Sequence, residues 1–234
     1  MQQHSVGHGI VVSKAGWSFG GNVWCSFDEH IRASVPGYAE LNRQIVDWGA
    51  EFLGARRRAY DLGCSTGTLC SALARRFADA EIIGIDIEPA MIAAAKRLSP
   101  TRPRYVCADL LTFPLSRAHL ITACYTLMFL PPEERLRLLC RLRSALVPGA
   151  GLIVAEKVVR RDSAQEAYCQ EQHLSFKRRQ GLSQEQIEAK SASIKGYLVP
   201  LYDDENIDLL ERAGFSEVRL IARHACFDAW LARR

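Results

Sequence analysis

The sequence predicts an α/β fold in which helices cover both faces of a mostly parallel β-sheet. Short apolar runs rich in β-branched residues alternate along the chain with segments whose apolar residues repeat at helical spacing. The chain has 234 residues, of which 48% are hydrophobic, so it can bury one sizeable core. We therefore expect a single domain over residues 1–234.

The first 38 residues are rich in glycine and aromatic side chains and show only weak periodicity. We interpret residues 1–38 as an N-terminal arm or cap with a short helix, ending at Pro36-Gly37. From residue 40 to residue 52 the apolar side chains keep a helical spacing, which predicts the first long helix.

Strands and helices then alternate. The run at 81–87 is almost entirely apolar, which is typical of a strand buried on both faces. A helix begins at Pro132, a residue well suited to the first turn, and is expected to end before Pro148-Gly149. The predicted strands lie at 58–62, 81–87, 105–108, 119–125 and 152–158, and the predicted helices at 69–77, 91–98 and 132–146.

Residues 162–197 interrupt this alternation. They are polar and helical in pattern, and they are too many for an ordinary connection between a strand and a helix. We predict a helical lid over the ends of the strands. The chain then closes with a helix at 203–213 and two strands, at 218–221 and 225–231, which would form a hairpin at one edge and complete a seven-stranded sheet.

The composition excludes several classes of function. The net charge of +4 is too small for a nucleic-acid-binding surface, and no apolar run reaches the roughly 20 residues of a transmembrane helix. The N-terminal residues do not have the pattern of a signal peptide. Eight cysteines are scattered with no Cys-x-x-Cys pair and no zinc-binding spacing. We expect a cytoplasmic protein with reduced thiols, no metal, and neither a membrane nor a nucleic acid as partner.

A glycine-rich loop follows the first predicted central strand. It runs from Asp61 through Gly63 to Gly67 and opens a helix, which is the context in which such a loop binds a nucleotide. No Lys-Ser/Thr pair follows, so it is not a phosphate-binding P-loop. Asp86 ends the next strand nineteen residues after Gly67, where a carboxylate can accept hydrogen bonds from ribose hydroxyls. Asp109 ends the third strand and suits the adenine amino group. A dinucleotide remains an alternative ligand, although a third glycine is missing.

The segment Tyr60-Asp61-Leu62-Gly63-Cys64-Ser65, with Gly67, resembles the S-adenosylmethionine (SAM) loop of class I methyltransferases. Within that class the chain resembles carboxy-SAM synthases, which make a precursor for tRNA modification from SAM and prephenate. The resemblance implies a Rossmann-like fold, SAM as cofactor or substrate, no metal, a small-molecule partner and a possible homodimer. It rests on Trp17, Phe19, 34–38, 89–92, Phe129-Leu130, Glu156-Lys157, 176–178 and 213–215, among others.

The resemblance also implies the SAM contacts. Together with the loop, the predicted cofactor-binding residues are Tyr38, Asp61, Gly63, Cys64, Ser65, Gly67, Asp86, Ile87, Asp109, Leu110 and Cys124. The chain departs from the family at two positions. Cys124 stands where the family has asparagine, and Ser191, next to Lys190, stands where the family has the arginine that grips the extra carboxylate.

The choice of reaction depends on the residues around the SAM sulfonium. Aromatic faces attract a sulfonium by cation–π interaction, and Tyr125, Phe129 and Tyr168 are predicted to form the catalytic pocket. A dry pocket also favours the neutral form of the SAM α-amine. With the family arginine missing and no general base evident, we predict that the amine attacks its own side chain. The products would be azetidine-2-carboxylate and methylthioadenosine, as in related natural-product enzymes.

Several alternatives stay open. The first is methyl transfer to a small molecule, for which His173 and Glu156 are candidate polar groups. Carboxy-SAM synthesis and SAM binding without catalysis are less favoured alternatives than methyl transfer.

Overall fold

The computed structural model describes residues 4–12, 18–100 and 102–234. Trp17 lies outside these residues. The predicted N-terminal arm contains a small antiparallel pair, β1 (His4–Ser5) and β2 (Val11–Val12), and a short helix, α1 (Phe27–Ser34). Helix α2 (Tyr38–Phe52) follows the left-handed residue Gly37.

The predicted strands and helices of the central region are present, most within two residues of their predicted bounds. One boundary was wrong. The fifth central strand begins at Leu146 rather than at residue 152, because Leu146 pairs with Ala118 ahead of an irregularity in the register. The elements are β3 (Arg58–Leu62), α3 (Thr68–Arg76), β4 (Glu81–Asp86), α4 (Pro89–Leu98), β5 (Arg104–Cys107), β6 (Ala118–Cys124), α5 (Pro132–Ala145) and β7 (Leu146–Val159).

The remaining elements include the region predicted as a lid. It contains two helices, each of which begins at a residue that caps its first turn: Asp162 accepts from the Gln165 amide, and Ser183 accepts from the Gln186 amide. The elements are α6 (Ser163–Arg179), α7 (Gln184–Ile194), β8 (Leu201–Tyr202), α8 (Asp203–Arg212), β9 (Ser216–His224) and β10 (Phe227–Arg233).

The main sheet confirms the predicted fold class. Its strand order is β5-β4-β3-β6-β7-β10-β9, with β8 paired to β7 off this path. Strands β3 to β7 are parallel, whereas β10 is antiparallel to both β7 and β9. The closing hairpin therefore lies at one side of the sheet, with β9 at the edge. The chain order reverses between β3 and β6, and ligands of open α/β sheets bind at the carboxyl ends of the strands at such a point.

Two apolar layers cover the two faces of this sheet. Tyr60 and Leu62 of β3 belong to the layer that includes α5 and α8, whereas Ala59 belongs to the layer that includes α2, α3 and α4. This alternation follows from the period of two in a β-strand. The helices thus fix β3, β4, β5 and β6 as a rigid base whose carboxyl ends carry the loops described below.

The lid is joined to this base at two places. His173 Nε2 of α6 donates to the carbonyl of Ser34 in α1 at 2.8 Å. Beyond α7, Val199 donates to the carbonyl of Met128 at 2.9 Å, and the Arg135 guanidinium donates to the carbonyl of Val199 at 2.7 Å. These bonds place the residues between α7 and β8 next to the loop after β6. Within the described part of the chain, no helix has the length and apolar character needed to cross a membrane.

Candidate active site

A cavity of about 300 Å³ opens at the carboxyl ends of β3, β4, β5 and β6, where the chain order reverses. The lining combines carboxylates, aromatic rings and apolar side chains. Its lining comprises Phe19, Phe27, Ile31, Tyr38, Asn42, Asp61, Gly63, Cys64, Ser65, Leu69, Asp86, Ile87, Glu88, Met91, Asp109, Leu110, Cys124, Tyr125, Thr126, Met128, Phe129, Leu130 and Tyr197.

The glycine-rich loop forms the floor of the cavity. Gly63 has a φ of +70°, and a Cβ added there would lie 2.9 Å from Cγ2 of Thr126 and closer still to its hydroxyl. The Thr126 hydroxyl donates to the carbonyl of Leu62 at 2.9 Å, which holds the loop after β6 against the loop after β3. Glycine at position 63 is therefore required both by its backbone conformation and by the close approach of this neighbouring loop.

Asp86 links the glycine-rich loop to the end of β4. Its carboxylate accepts the Ser65 amide at 2.9 Å and the Glu88 amide at 2.9 Å. It is 8% exposed, and burial raises its pKa above the ordinary value while the two amides oppose that shift. A carboxylate has about four acceptor sites, so these two bonds leave capacity for a ligand with hydroxyl groups.

Asp61 lies deeper, beneath the loop. It accepts the Thr122 hydroxyl at 2.7 Å and the Cys70 thiol at 3.3 Å. Burial raises the pKa of Asp61 from 3.8 to about 6, against the effect of those two donors, and nearby Asp86 raises it further. The ionised carboxyl is nevertheless well placed to fix β3 against β6 and α3.

Glu156 of β7 holds the loop after β6 from the other side. Its two carboxylate oxygens accept the backbone amides of Thr126, Leu127 and Met128 at 3.3, 2.9 and 2.7 Å. Complete burial raises the pKa of Glu156 to about 8, whereas Arg135 and the three amides favour the ionised form. Since its hydrogen-bonding capacity is used by this turn, Glu156 positions the cavity wall.

The aromatic rings that line the cavity come from four parts of the chain. The Tyr38 and Tyr125 rings lie 6.2 Å apart, and Phe129 contacts Phe19 at 5.2 Å and Tyr197 at 5.4 Å between ring centroids. Tyr125 adopts a φ of +58°, which turns its ring into the cavity as its amide bonds the carbonyl opposite in β7. Such rings can surround a sulfonium.

Most of the predicted site residues border this cavity. The ten predicted cofactor-binding residues other than Gly67 do so, as do two of the three predicted catalytic residues, Tyr125 and Phe129. Gly67 lies just outside, at the start of α3, where a Cβ would collide with the Tyr105 ring. Gly67 therefore shapes the loop without bordering the cavity.

The catalytic assignment of Tyr168 requires correction. Its side chain is 67% exposed on the outer face of α6 and does not line the cavity. Helix α6 is polar around most of its circumference, so the sequence did not indicate which face turns inward. The inward face carries His173, whose two ring nitrogens bond the Ser34 carbonyl and the Cys226 thiol. With both nitrogens engaged, His173 is not placed to act as a general base.

The sequence did not single out several residues of the cavity. Asn42, Glu88, Thr126 and Met128 all line it. Asn42 lies one turn after Tyr38 on α2, so the helical period could have associated the two. The role of Thr126 gave no sequence signal, because it depends on the contact between two loops that are far apart in the chain.

The chemistry of the cavity suits SAM. Asp86 offers acceptors for ribose hydroxyls, Asp109 also lines the cavity, Gly63 leaves room for close approach of a ligand, and the rings suit a sulfonium. Among the described residues, no group of three His, Cys, Asp or Glu side chains could hold a metal ion.

Comparison with known proteins supports this interpretation. Residues 59–149 match a family model described as a methyltransferase domain. The fold is similar to that of a putative O-methyltransferase from Nostoc punctiforme, with a TM-score of 0.65 and 17% identity over 91% of this chain and 60% of that one. It is also similar to magnesium protoporphyrin IX methyltransferase from Synechocystis with bound SAM, with a TM-score of 0.59 and 17% identity over 89% and 91% of the two chains.

The fold and the cavity thus define a class I SAM-dependent methyltransferase fold, and the protein is a SAM-dependent transferase. A carboxy-S-adenosyl-L-methionine synthase from Geobacter metallireducens is 35% identical over 208 residues, covering 86% of this chain and 85% of that protein. The chain belongs to the carboxy-SAM synthase family.

This relationship corrects the predicted reaction. Four relatives that are 32–35% identical over most of the chain are carboxy-SAM synthases, and nothing supports azetidine-2-carboxylate formation or a role in natural-product biosynthesis. The prediction was wrong because it relied on the aromatic rings. Those rings stabilise the sulfonium whichever of its carbons reacts. The same relatives favour carboxy-SAM synthesis over methyl transfer, whereas the prediction from the sequence ranked methyl transfer higher.

Proposed function

We propose that this protein makes carboxy-SAM from SAM and an organic acid that donates a carboxyl group. The observation that carries the proposal is the match to carboxy-SAM synthases over 86% of the chain. The lining of the cavity supports it, because the carboxylates can accept hydrogen bonds from the nucleoside of SAM and the aromatic rings can surround a sulfonium.

The proposed reaction balances as a carboxyl transfer. The bond between the donor and its carboxyl carbon breaks, and a bond forms between that carbon and the methyl carbon of SAM. The methyl group loses one proton. The electron pair of the broken bond stays with the donor. The donor then either takes up the proton itself or expels a leaving group that takes up the proton.

The residues of the cavity have separate roles in this proposal. Asp86 would hold the ribose and Asp109 the adenine, while the loop at Gly63 would pass beneath the methionine part. Tyr125 and Phe129 would surround the sulfonium and exclude water. Burial raises the pKa of the Tyr125 phenol well above its ordinary value, so this hydroxyl stays neutral and adds no negative charge beside the cation. Catalysis would then depend mainly on positioning.

The two departures from the family bear on how the donor is held. Cys124 lines the cavity, but burial raises the pKa of its thiol well above the ordinary value, so it offers no charge to an acid. Ser191, at the position of the family arginine, is exposed on α7 and carries no charge. Neither departure supplies a cationic partner for the donor carboxylate.

The test is to incubate the purified protein with SAM and prephenate, the donor that the resemblance implies, and to analyse the products by mass spectrometry. We expect a nucleoside heavier than SAM by the mass of carbon dioxide, formed only when both substrates are present. Isotopic carbon in the donor carboxyl groups should appear in that product.

Two outcomes would contradict the proposal. One is conversion of SAM to methylthioadenosine in the absence of any donor. The other is formation of S-adenosylhomocysteine with an acceptor and no carboxylated nucleoside. A variant with Asp86 replaced by alanine is the control for non-enzymatic products.

We also propose a cytosolic location, a small-molecule co-substrate and a homodimeric state. All eight cysteines are free, which suits a reducing compartment. The overall charge of +4 favours neither nucleic acid nor an anionic membrane as partner. Light scattering after gel filtration would measure the mass directly, and a mass of one chain would exclude the dimer.

A further inference from the structure

The first turn of α1 contacts the start of α3 through one carboxylate. Oδ1 of Asp28 accepts the Thr66 hydroxyl at 2.8 Å and the Thr68 hydroxyl at 3.0 Å. Thr66 belongs to the glycine-rich loop and is 3% exposed, and Thr68 is the first residue of α3. Asp28 therefore joins the N-terminal arm to the loop that is predicted to bind SAM, which lies 38 positions further along the chain.

Asp28 also brings negative charge to the N-terminus of α3. The first turn of a helix carries a partial positive charge, which a nearby carboxylate stabilises. Helix α3 has no acidic residue in its own first turn, and its N-cap is Gly67, which has no side chain to accept a hydrogen bond. Because the carboxylate comes from a different element, the position of α1 and the start of α3 depend on each other.

The backbone of the glycine-rich loop is strained where this contact is made. Ser65 has a φ of +49°, a left-handed conformation that is unfavourable for a residue with a side chain. The Ser65 amide donates to Asp86, and the hydroxyl of the next residue, Thr66, donates to Asp28. The two carboxylates thus restrain adjacent residues of the loop, and a strained conformation persists only under such restraint.

The helix that carries Asp28 also forms part of the cavity. Phe27 and Ile31 of α1 line the cavity, whereas Asp28 itself lies outside the lining. At the last turn of α1, the carbonyl of Ser34 accepts a hydrogen bond from His173 of the lid. Helix α1 is therefore held by the glycine-rich loop at one end and by the lid at the other, and its apolar side chains reach the cavity between these two points.

We propose that Asp28 is a positioning residue that couples SAM binding at the glycine-rich loop to the cavity wall formed by α1. It acts through Thr66 and Thr68 and touches no reacting atom. When SAM occupies the loop, the loop holds Asp28, and Asp28 holds Phe27 and Ile31 against the ligand. This inference goes beyond the proposed carboxyl transfer, because it depends only on SAM binding and holds whichever carbon of SAM reacts.

The coupling works in both directions. Any restraint that bound SAM places on α1 is matched by an equal contribution of α1 to SAM affinity, because coupling between two sites is reciprocal. Loss of the Asp28 carboxylate should therefore weaken binding of the ligand and also free α1 from the influence of the ligand. A role of Asp28 in folding alone predicts a lower melting temperature but neither of these two changes.

The test uses S-adenosylhomocysteine, which lacks the reacting methyl group, so that turnover does not contribute to the measured affinity. Isothermal titration calorimetry compares the wild type with Asp28→Ala, with the double variant Thr66→Val/Thr68→Val, and with all three changes together. We expect about 10-fold weaker binding in Asp28→Ala and a similar loss in the double variant. The triple variant should lose no more than either, because all three changes break the same contacts.

Conservative variants separate the hydrogen bonds from packing. Asp28→Asn keeps a carbonyl oxygen as acceptor and should stay within about 3-fold of the wild-type affinity. Thr66→Ser/Thr68→Ser keeps both hydroxyl donors and should do the same. The matched control is Glu29→Ala, at the next position of α1, whose side chain is 74% exposed. If Asp28→Ala does not fold, the threonine variants test the same two hydrogen bonds from the α3 side.

Hydrogen exchange measured by mass spectrometry supplies the second readout. S-adenosylhomocysteine should slow the exchange of amides in residues 27–34 of the wild type. At saturating ligand this slowing should be lost in Asp28→Ala, while the slowing in β4, next to Asp86, remains. The selective loss at α1 would show that the ligand no longer restrains this helix.

Three results would overturn the inference: wild-type affinity in Asp28→Ala, an additive loss of about 100-fold in the triple variant, or slowing at α1 that persists in Asp28→Ala. Failure of the wild type to bind S-adenosylhomocysteine would overturn it as well. The proposed function is tested separately, by the products formed from SAM and prephenate. Absence of carboxy-SAM would contradict that function and leave the role of Asp28 intact, since S-adenosylhomocysteine binds without reacting.

Discussion

The strand ends at the cavity and helix α6 of the lid both bury ionisable groups, but they satisfy them in different ways. Asp61, Asp86 and Glu156 accept bonds from hydroxyl, thiol and backbone amide donors of the protein itself. Lys177 of α6 is 7% exposed and forms no ion pair with a carboxylate among the described residues. The carboxylates are thus stabilised by donors of the protein, whereas burial lowers the pKa of Lys177 to about 8.

This difference indicates which substitutions should cost stability. The loops at the cavity are held at fixed positions by buried carboxylates, so substitutions of those carboxylates should affect stability as well as SAM affinity. Burial disfavours the charged form of Lys177, so replacing Lys177 with methionine should cost little stability. The following predictions test the strand ends first and end on the outer face of the lid.

Replacing Glu156 with alanine should have the largest effect. The amides of Thr126, Leu127 and Met128 would lose their acceptor in a buried position, at about 1–3 kcal/mol for each unsatisfied group. We expect the free energy of unfolding to fall by roughly 4 kcal/mol, measured by urea denaturation. The exposed Glu185→Ala variant should be close to wild type. Equal stability of the Glu156 variant would show that another group holds this loop.

Asp86→Ala should lower SAM affinity about 100-fold or more. The change removes the predicted ribose contact and the acceptor of the Ser65 and Glu88 amides, and hydrogen bonds to a charged group contribute about 1.5–3 kcal/mol each. Isothermal titration calorimetry with SAM measures the loss. Asp47→Ala, at an exposed position of α2, is the control. Unchanged affinity of the Asp86 variant would remove the assignment of the SAM site.

Gly63→Ala and Gly181→Ala are a matched pair of variants that test how closely the loop after β3 approaches the loop after β6. Both glycines have positive φ, +70° and +85°, but only Gly63 has a neighbour, Thr126, in the space of a Cβ. The backbone cost alone is ~1 kcal/mol, so Gly181→Ala should lose about that much stability. Gly63→Ala should lose ~2 kcal/mol more and bind SAM more weakly. Equal losses, measured by thermal unfolding, would mean that the two loops separate easily.

Tyr168→Phe should have the smallest effect, less than about 2-fold on turnover and within ~0.5 kcal/mol in stability. The side chain is 67% exposed and lies outside the cavity. Initial rates with saturating SAM and donor measure the effect, with Tyr125→Phe compared in parallel because that ring does line the cavity. A large loss of turnover for Tyr168→Phe would restore its catalytic assignment.

Much of the fold and half of the site followed from local patterns. The strands at 58–62 and 81–87 were predicted almost to the residue, the second because a strand buried on both faces needs a nearly continuous apolar run. Asp61, Gly63 and Asp86 all border the cavity because each lies at or next to the carboxyl end of a strand, and these ends of parallel strands meet at one edge of the sheet. The start of β7 was missed because Pro148-Gly149, read as a turn, lies within the strand.

The amino-acid sequence by itself determined the alternation of strands and helices, and with it the edge of the sheet at which a nucleotide-like ligand binds. These features depend on residues close together in the chain. Only the tertiary structure decided that Tyr168 faces outwards, that Thr126 closes on Gly63, and that Lys177 is buried on the same face of α6 as His173. Each of these depends on how distant helices and loops pack. The effect of a buried charge depends on neighbouring residues that lie far away in the chain, and no local pattern specifies those neighbours.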